Sequence, residues 1–446
     1  MNISFTLLLV ALLSLPGLAL TTTLKLKQNR FLTTFAFSYA LFTLALITSK
    51  SLAISHTHFS YIIGVYLAFS AILLLIKKEG LEKPSQPINL AAITIGVLVV
   101  VYHILISPYN EIPADIYTHI ERYQSAYTLQ KNDNLGTQLS IAKLFMQKGG
   151  IWYHLLAFTA HITHATVDNA VYSGTLISKL FFLVGLYYFA LSVFKNNKHA
   201  ITASLITCLF VTLHMGINVF AYIRYYSFAP SMLNFVIYFS AIAVFLNGIQ
   251  QPWHKHNLAR LSFILMLCLS AAGIHTQEAM FIVVMCFLIT LFASLESGHK
   301  LTLKQTGYQR PKQLTFITLS TITFIGIIGF VIAYIIAHEH MNRAPNVNWR
   351  LWEFGSSAGL WPDISILNLK YQFIRVLTLW GCFIYLLFLC HWSRYKQNLF
   401  IVAGMLSPLF TILNPFFVDL FLRLDNATTL WRLCYLIPIH LSLIHI

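Results

Sequence analysis

The stretch SGTLISKLFFLVGLYYFALSVF, residues 173–194, is apolar along its length apart from Lys179 and a few hydroxyl side chains. As an α-helix it is long enough to cross the hydrocarbon core of a bilayer, which is about 30 Å thick. Apolar runs of similar character recur on both sides of it, so this stretch predicts a chain built from membrane-spanning helices.

About thirteen such runs can be placed with a window of about 19 residues. The predicted spans cover residues 3–20, 31–48, 59–76, 88–106, 173–194, 200–214, 231–246, 261–272, 279–295, 314–337, 373–390, 399–412 and 430–446. The first is predicted to be a retained helix rather than a signal peptide, because no basic residue precedes it and Lys25 and Lys27 follow it. The sequence therefore predicts an all-α, polytopic integral membrane protein.

The composition agrees with this class. Of the 446 residues, 57% are hydrophobic and 10% charged, and the mean hydropathy is +0.71. Soluble domains carry about 25% charged residues, so a soluble enzyme, a disordered chain and a disulfide scaffold are excluded. Long apolar runs also disfavour a transmembrane barrel, whose strands alternate apolar and polar residues.

The net charge of +15 is explained by the orientation of the loops. If the N-terminus lies outside, the short cytoplasmic loops hold most of the basic residues, as the positive-inside rule requires. Of the 14 acidic residues only Glu79, Glu82 and Glu296 fall in those loops. The basic excess thus indicates topology in an inner (cytoplasmic) membrane, and no nucleic-acid partner is expected.

Polar residues concentrate on the extracytoplasmic side, where a functional site is expected. Three regions follow: N-terminal transmembrane helices at 1–106, an extracytoplasmic loop with juxtamembrane helices at 107–172, and a transmembrane helical core at 173–446. The loop begins SPYNEIPADIYTHIERYQSAY, and its spacing predicts an amphipathic helix lying on the membrane surface.

Within that helix Asp115, His119 and Arg122 share one face, at i, i+4 and i+7. A neighbouring apolar face is predicted from Ile116, Ile120, Tyr123 and Tyr127. A carboxylate, an imidazole and a guanidinium presented together are typical of a catalytic or binding face, and Glu111 adds a second acid. The alternatives are a solvated face and, for Asp115, a helix cap.

The segment IWYHLLAFTAHITHA, residues 151–165, is apolar but too short to span comfortably. It is predicted to lie in the interface or to re-enter, with Trp152 and Tyr153 in an aromatic belt. His161 and His164 have the spacing of metal ligands but no third ligand, so interfacial histidines are the alternative and no metal site is assigned.

Further ionisable and aromatic residues lie at the outer ends of later spans, where buried charge is costly and points to function. They are Arg224, Tyr225, His275, Glu278, Arg423 and Arg432. Each could instead form a structural ion pair or extend its charged end toward water.

Three stretches together resemble the GT-C-type polytopic membrane glycosyltransferases, the class that includes the protein mannosyltransferases and the lipid A aminoarabinose transferases. ADIYTHIERY (114–123) resembles their acid-containing first outer loop, residues 151–194 their aromatic-His start followed by a span, and IRYYSFAPSMLNFVIYFSAIAVFL (223–246) their Arg-Tyr segment. The chain differs in having four predicted spans before the loop and no acidic dipeptide.

The resemblance implies transfer of a sugar from a polyprenyl-phosphate carrier to a glycan, lipid or protein acceptor at the outer face, with inversion. Asp115 is expected to act as general base, backed by Glu111 and His119. The phosphate and sugar would be bound by Arg122, His154, Arg224, Tyr225, His275, Glu278, Arg423 and Arg432. A divalent cation remains open as a cofactor.

Two other functions are compatible with the same layout. An O-antigen polymerase or ligase would also be polytopic with outer Arg and His residues, although its large outer loop usually comes late in the chain. A lipid-linked-sugar flippase or secondary transporter would place charged or broken helices at mid-membrane, where only Lys179 is found.

The last residues, LSLIHI (441–446), read as the translation of a common transposase adapter used in library sequencing. They stop inside an apolar run, with no basic residue after Arg432. The expectation from the sequence is a gene fragment whose native protein continues beyond about residue 440.

Overall fold

The computed structural model describes residues 2–23, 30–76, 94, 97–98, 101, 115–131, 150–212, 230–250, 257–274, 276–301, 386–390, 398–411 and 436. The regular elements in these ranges are helices. In chain order they are α1 (Ile3–Thr23), α2 (Arg30–Ser51), α3 (His56–Ile76), α4 (Asp115–Lys131), α5 (Gly150–Thr163), α6 (Val167–Phe194), α7 (Asn197–Thr212), α8 (Pro230–Gln250), α9 (Asn257–Ile274), α10 (Thr276–Leu301) and α11 (Leu399–Phe410).

The two ends of α6 are set by local hydrogen bonds. Thr166 precedes the helix in extended conformation, and its hydroxyl accepts a hydrogen bond from the Asn169 backbone N–H at 3.3 Å. At the other end Lys195 adopts a left-handed conformation with φ 52°, and its N–H donates to the Leu191 carbonyl at 2.9 Å. The helix therefore begins six residues, or nearly two turns, before the predicted span 173–194.

Five helices in the described ranges are long and apolar enough to cross a membrane, namely α1, α2, α3, α6 and the segment Met232–Ile249 of α8. They coincide with five predicted spans. Three shorter apolar helices, Leu261–Ile274, Glu278–Ala293 and Leu399–Phe410, fall in three more. The predicted span 314–337 and most of 88–106, 373–390 and 430–446 lie outside the described residues. The all-helical class is confirmed for the part of the chain that is described.

One side of α3 is covered by large apolar side chains that contact little else. Tyr61 and Val65 are each 70% exposed, and Phe69 is 56% exposed. An apolar row of this kind would be unfavourable in water but is what a helix facing lipid presents.

The chain divides into two compact units, each defined by the contacts among its own residues. The first comprises Met1–Cys208, Tyr222–Ala243 and Phe263–Met280. Its core includes a ladder of aromatic rings in which Phe182 packs 5.8 Å from Phe239 and Phe189 stacks 5.0 Å from Phe239. In the second unit, Phe292 of α10 and Phe410 of α11 meet edge to face at 6.2 Å.

Helices α1 and α2 approach each other closely at Gly17. Any Cβ at this position would overlap the Thr34 backbone carbonyl, so only glycine fits. The Gly17 N–H donates to the Ser38 hydroxyl at 2.8 Å, which links the backbone of α1 to a side chain of α2. Small residues at a helix contact are the usual means of close packing in lipid, where apolar burial offers little gain.

Candidate functional site

The amphipathic helix predicted in the first long loop is α4, and Asp115 is its first residue. Its buried side chains are Tyr123, Ala126 and Gln130, which recur at helical spacing. Of the predicted apolar face, Tyr123 is buried, while Ile120 and Tyr127 are only half-buried, and Ala126 and Gln130 complete the buried face. The side turned away from the protein carries Tyr117, which is 72% exposed.

The partner of α4 is α5, which is about 21 Å long at 1.5 Å per residue. The predicted short helix is thus present, and it is too short to cross a bilayer core of about 30 Å. Its residues 150–160 are all buried. The predicted aromatic belt is wrong here, because Trp152 and Tyr153 pack inside the protein and are 0% and 2% exposed.

Polar side-chain contacts join the two helices. The Tyr153 hydroxyl forms a hydrogen bond with His119 Nδ1, and the Arg122 guanidinium donates a hydrogen bond to the same hydroxyl. Further along, Gln130 Nε2 donates to the His154 carbonyl at 2.9 Å and lies 3.4 Å from His154 Nδ1. His119 and Arg122 therefore share the face predicted from their spacing, and Tyr153 is what joins them.

A pocket of about 80 Å³ opens beside these contacts. It is lined by Arg122, Ser125, Ala126, Leu129, Gly150, Tyr153 and His154. A water molecule occupies about 30 Å³ of liquid, and drug-sized ligands need about 300 Å³ or more. The pocket therefore has room for one small polar group, such as a phosphate or a hydroxyl with one water molecule.

Burial determines the protonation of the two aromatic side chains of α5 at this pocket. It raises the pKa of the Tyr153 phenol well above its usual range, and the neighbouring Arg122 only partly opposes this shift. Burial also lowers the pKa of His154 to about 3, and the charges of Lys50 and His56 add to that effect. At neutral pH the pocket presents a neutral phenol, a neutral imidazole and one cation.

Such a set of groups favours an anion or an electron-rich oxygen. The Arg122 guanidinium supplies charge and several N–H donors, and the Tyr153 hydroxyl orients it. The sequence did not point to Tyr153 or Gln130 as site residues. The helical spacing could have indicated Gln130, since it lies seven residues after Tyr123 and therefore on the same face.

Glu278 is placed elsewhere, at the start of α10. Its carboxylate accepts a hydrogen bond at 3.2 Å from Asn234 Nδ2 of α8, and the same amide donates to the Ala271 carbonyl at 3.2 Å. Glu278 and Asn234 are both fully buried. No described contact brings Glu278 to the pocket between α4 and α5.

The other predicted site residues lie outside the described residues: Glu111, Arg224, Tyr225, His275, Arg423 and Arg432. For Asp115 the structure gives its position at the first turn of α4. His161 lies in the last turn of α5, and His164, directly after the helix, has a left-handed φ of 51°.

Within the described ranges, no three His, Cys, Asp or Glu side chains lie close enough together to hold a metal ion. Comparison of the chain with protein-family models, with curated proteins and with solved structures finds no match.

Proposed function

We propose that the chain is a polytopic glycosyltransferase of about thirteen spans in the inner (cytoplasmic) membrane. It transfers a sugar from a polyprenyl-phosphate carrier to a glycan, lipid or protein acceptor at the extracytoplasmic face, with inversion at the anomeric carbon. The observation that carries the proposal is the pocket between α4 and α5, which Arg122 and Tyr153 line and beside which His119 is hydrogen-bonded to the Tyr153 hydroxyl.

The position of the pocket supports this function. In the chain, α4 and α5 come after α3 and before α6, and both α3 and α6 are long and apolar enough to span a membrane. A site carried between two spans is within reach of a carrier whose tail stays in lipid and whose sugar extends into water. No nucleotide-binding domain is required for such a donor.

The residues can be assigned roles that fit the chemistry. Attack by an acceptor hydroxyl needs a base, and Asp115 at the first turn of α4 supplies a carboxylate on the face of His119 and Arg122. The leaving group is a lipid phosphate, whose negative charge a guanidinium stabilises through paired N–H donors. Arg122 is the described residue best placed for this task.

The direct test is transfer from a panel of radiolabelled polyprenyl-phosphate sugars, using membranes that contain the chain and matched membranes that lack it. We expect one donor to be consumed, with an inverted anomeric centre in the product. Retention of configuration, or no transfer from any donor by a well-expressed chain, would contradict the proposal.

Reporters fused after Lys131 and Lys198 should read as extracytoplasmic and cytoplasmic respectively, and a cytoplasmic Lys131 would place the pocket on the wrong side.

The second candidate function is a lipid-linked-sugar flippase or transporter without catalysis. Buried ionisable side chains inside apolar helices favour it: Lys179 on α6 is 0% exposed and Lys50 on α2 is 6% exposed. Such groups commonly mark substrate or ion pathways. Protein-dependent movement of a labelled lipid-linked sugar across vesicles, without any new glycosidic bond, would select this function.

A further inference from the structure

A buried amide on α4 holds a histidine of the neighbouring helix. Gln130, in the last turn of α4, is 1% exposed, and His154 of α5 is 2% exposed. The Gln130 amide nitrogen, Nε2, donates to the His154 backbone carbonyl at 2.9 Å and lies 3.4 Å from His154 Nδ1. One amide group thus contacts both the backbone and the ring of the same histidine.

This contact is made at a cost to the fold. The other end of the amide, Gln130 Oε1, is buried without a hydrogen-bond partner among the described residues. A buried acceptor left in this way is unfavourable, and an apolar side chain of similar length would avoid the loss. Stability alone therefore does not account for a glutamine here, whereas its N–H donors have a clear target in His154.

The amide contact determines which ring nitrogen of His154 carries the proton. An amide nitrogen can only donate, so Nδ1 interacts with it as an unprotonated acceptor. Burial lowers the pKa of His154 to about 3, so the ring is neutral at physiological pH and carries one proton. That proton is on Nε2, which makes His154 a hydrogen-bond donor without a charge.

The same histidine belongs to the pocket between α4 and α5. His154 lines the pocket of about 80 Å³ together with Arg122 and Tyr153, whereas Gln130 is not part of its lining. Gln130 therefore holds the ring from outside the pocket through Nδ1, which leaves Nε2 for a group inside it.

We propose that Gln130 is a positioning residue, which holds His154 so that its Nε2–H donates a hydrogen bond to an oxygen of a phosphate group in the pocket. Arg122 supplies the positive charge for that group, and His154 adds a neutral donor. The identity of this group as the phosphate of the sugar carrier rests on the proposed function. The action of Gln130 on His154 does not.

The test follows the ring nitrogens of His154 by NMR of the full chain, labelled with ¹⁵N-histidine and purified in a neutral detergent without phosphate. The signals of His154 are those that are absent from His154→Gln. At neutral pH we expect one signal of an unprotonated Nδ1 and one of a protonated Nε2. Inorganic phosphate should move the Nε2 signal, and sodium chloride of equal ionic strength should not.

Gln130→Met removes the amide donor and nearly keeps the size of the side chain. We expect the His154 ring to populate both tautomers, and the affinity for inorganic phosphate, measured by titration of the Nε2 signal, to fall several-fold. Gln124→Met, which changes an exposed glutamine of α4, is the matched control and should alter neither the tautomer nor the affinity.

The proposal is overturned by a protonated Nδ1 in the wild-type chain, or by a His154 signal that does not respond to phosphate. A Gln130→Met chain with the wild-type tautomer and affinity would equally overturn it, because Gln130 would then only link two helices. Where that variant does not fold, the two measurements on the wild-type chain decide.

The outcome is separate from that of the transfer assay. A chain that binds phosphate at His154 but transfers no sugar would refute the proposed function and leave this inference in place. Sugar transfer by a chain whose His154 does not respond to phosphate would refute the inference alone.

Discussion

Two helix pairs in the first unit are joined by opposite means. Helices α1 and α2 meet through a glycine, a hydroxyl and two backbones, with Gly17 donating to Ser38 at 2.8 Å. Helices α4 and α5 meet through large polar side chains, with Tyr153 linked to both His119 and Arg122. The first pair adds one charged contact at its end, where the Arg30 guanidinium of α2 donates to the Thr22 hydroxyl of α1 at 2.9 Å, and the second pair buries or half-buries several polar groups.

The difference between the two helix pairs distinguishes contacts that stabilise the fold from contacts that serve the site. A close backbone contact such as that at Gly17 stabilises a pair of spans without any ionisable group. Polar groups buried between α4 and α5 are costly to desolvate, so their presence there is better explained by chemistry than by stability. The two pairs should therefore respond differently to substitution, α1–α2 in stability and α4–α5 in activity.

The largest effect is expected at the start of α4. Asp115→Asn should lower sugar transfer by about 10²-fold or more, the scale of losing acid–base catalysis, while expression and membrane insertion stay unchanged. Initial rates with the donor identified in the panel provide the measurement. Glu121→Gln, an exposed acid on the same helix, is the control and should retain its rate. Normal transfer by Asp115→Asn together with collapse in Glu111→Gln would move the role to Glu111.

A smaller effect is expected where α1 meets α2. Gly17→Ala should cost about 1–3 kcal/mol of stability, because the new methyl group overlaps the Thr34 carbonyl and forces the helices apart. Gly64→Ala on α3 is the matched control, since a Cβ there meets no atom within 4 Å. Thermal unfolding in detergent compares the two. Equal midpoints for both variants would show that α1 and α2 do not approach as described.

Removal of the Tyr153 hydroxyl, which joins α4 to α5, should lower the free energy of unfolding by about 1–2 kcal/mol. Tyr153→Phe removes the partner of both His119 and Arg122 and leaves a half-buried guanidinium less well satisfied. We expect a lower transfer rate and a slightly lower unfolding midpoint. Tyr117→Phe, at a residue that is 72% exposed on α4, should change neither. A Tyr153→Phe variant with wild-type transfer would remove the phenol from the site.

The smallest effect concerns pH. His154 has a pKa of about 3 in the folded chain and about 6.5 when unfolded, so the unfolded state gains a proton first as the pH falls. Its contribution to stability is complete above pH 6.5 and is lost progressively toward pH 3, by about 1 kcal/mol between pH 6.5 and 5.5. Unfolding midpoints across that range should depend less on pH in His154→Gln. His199→Gln, at an exposed histidine, should leave the pH dependence unchanged.

Much of the fold could be predicted because each span is a long apolar run. The predicted boundaries at 31–48 and 59–76 differ by only a few residues from Arg30–Ser51 and His56–Ile76. Helix α4 could be predicted from its periodicity, including the shared face of His119 and Arg122. Helix α5 could be predicted only as a short apolar segment, because a helix buried on all sides has no periodic pattern that tells which side chain faces which neighbour.

The side-chain contacts between α4 and α5 could not be predicted from the sequence for the same reason. Tyr153 pairs with a residue 34 positions earlier, and nothing in the local pattern of either helix specifies that pairing. The hydropathy of Trp152 and Tyr153 favoured an interfacial belt, but packing against α4 buries them instead. Glu278 was predicted as a site residue because a carboxylate is costly to bury in an apolar stretch. Its partner Asn234 lies in another helix, so the sequence did not indicate that contact.

The burial of residues 150–160 of α5 bears on how the chain is assembled during synthesis. A helix of 14 residues is too short to be released into lipid as an independent span, yet it follows α3 and precedes α6 in the chain. It packs against α1, α4 and α6, so its resting place exists only after a later segment has been inserted. Until α6 is in place, the apolar side chains of α5 lack part of the packing that buries them in the folded chain.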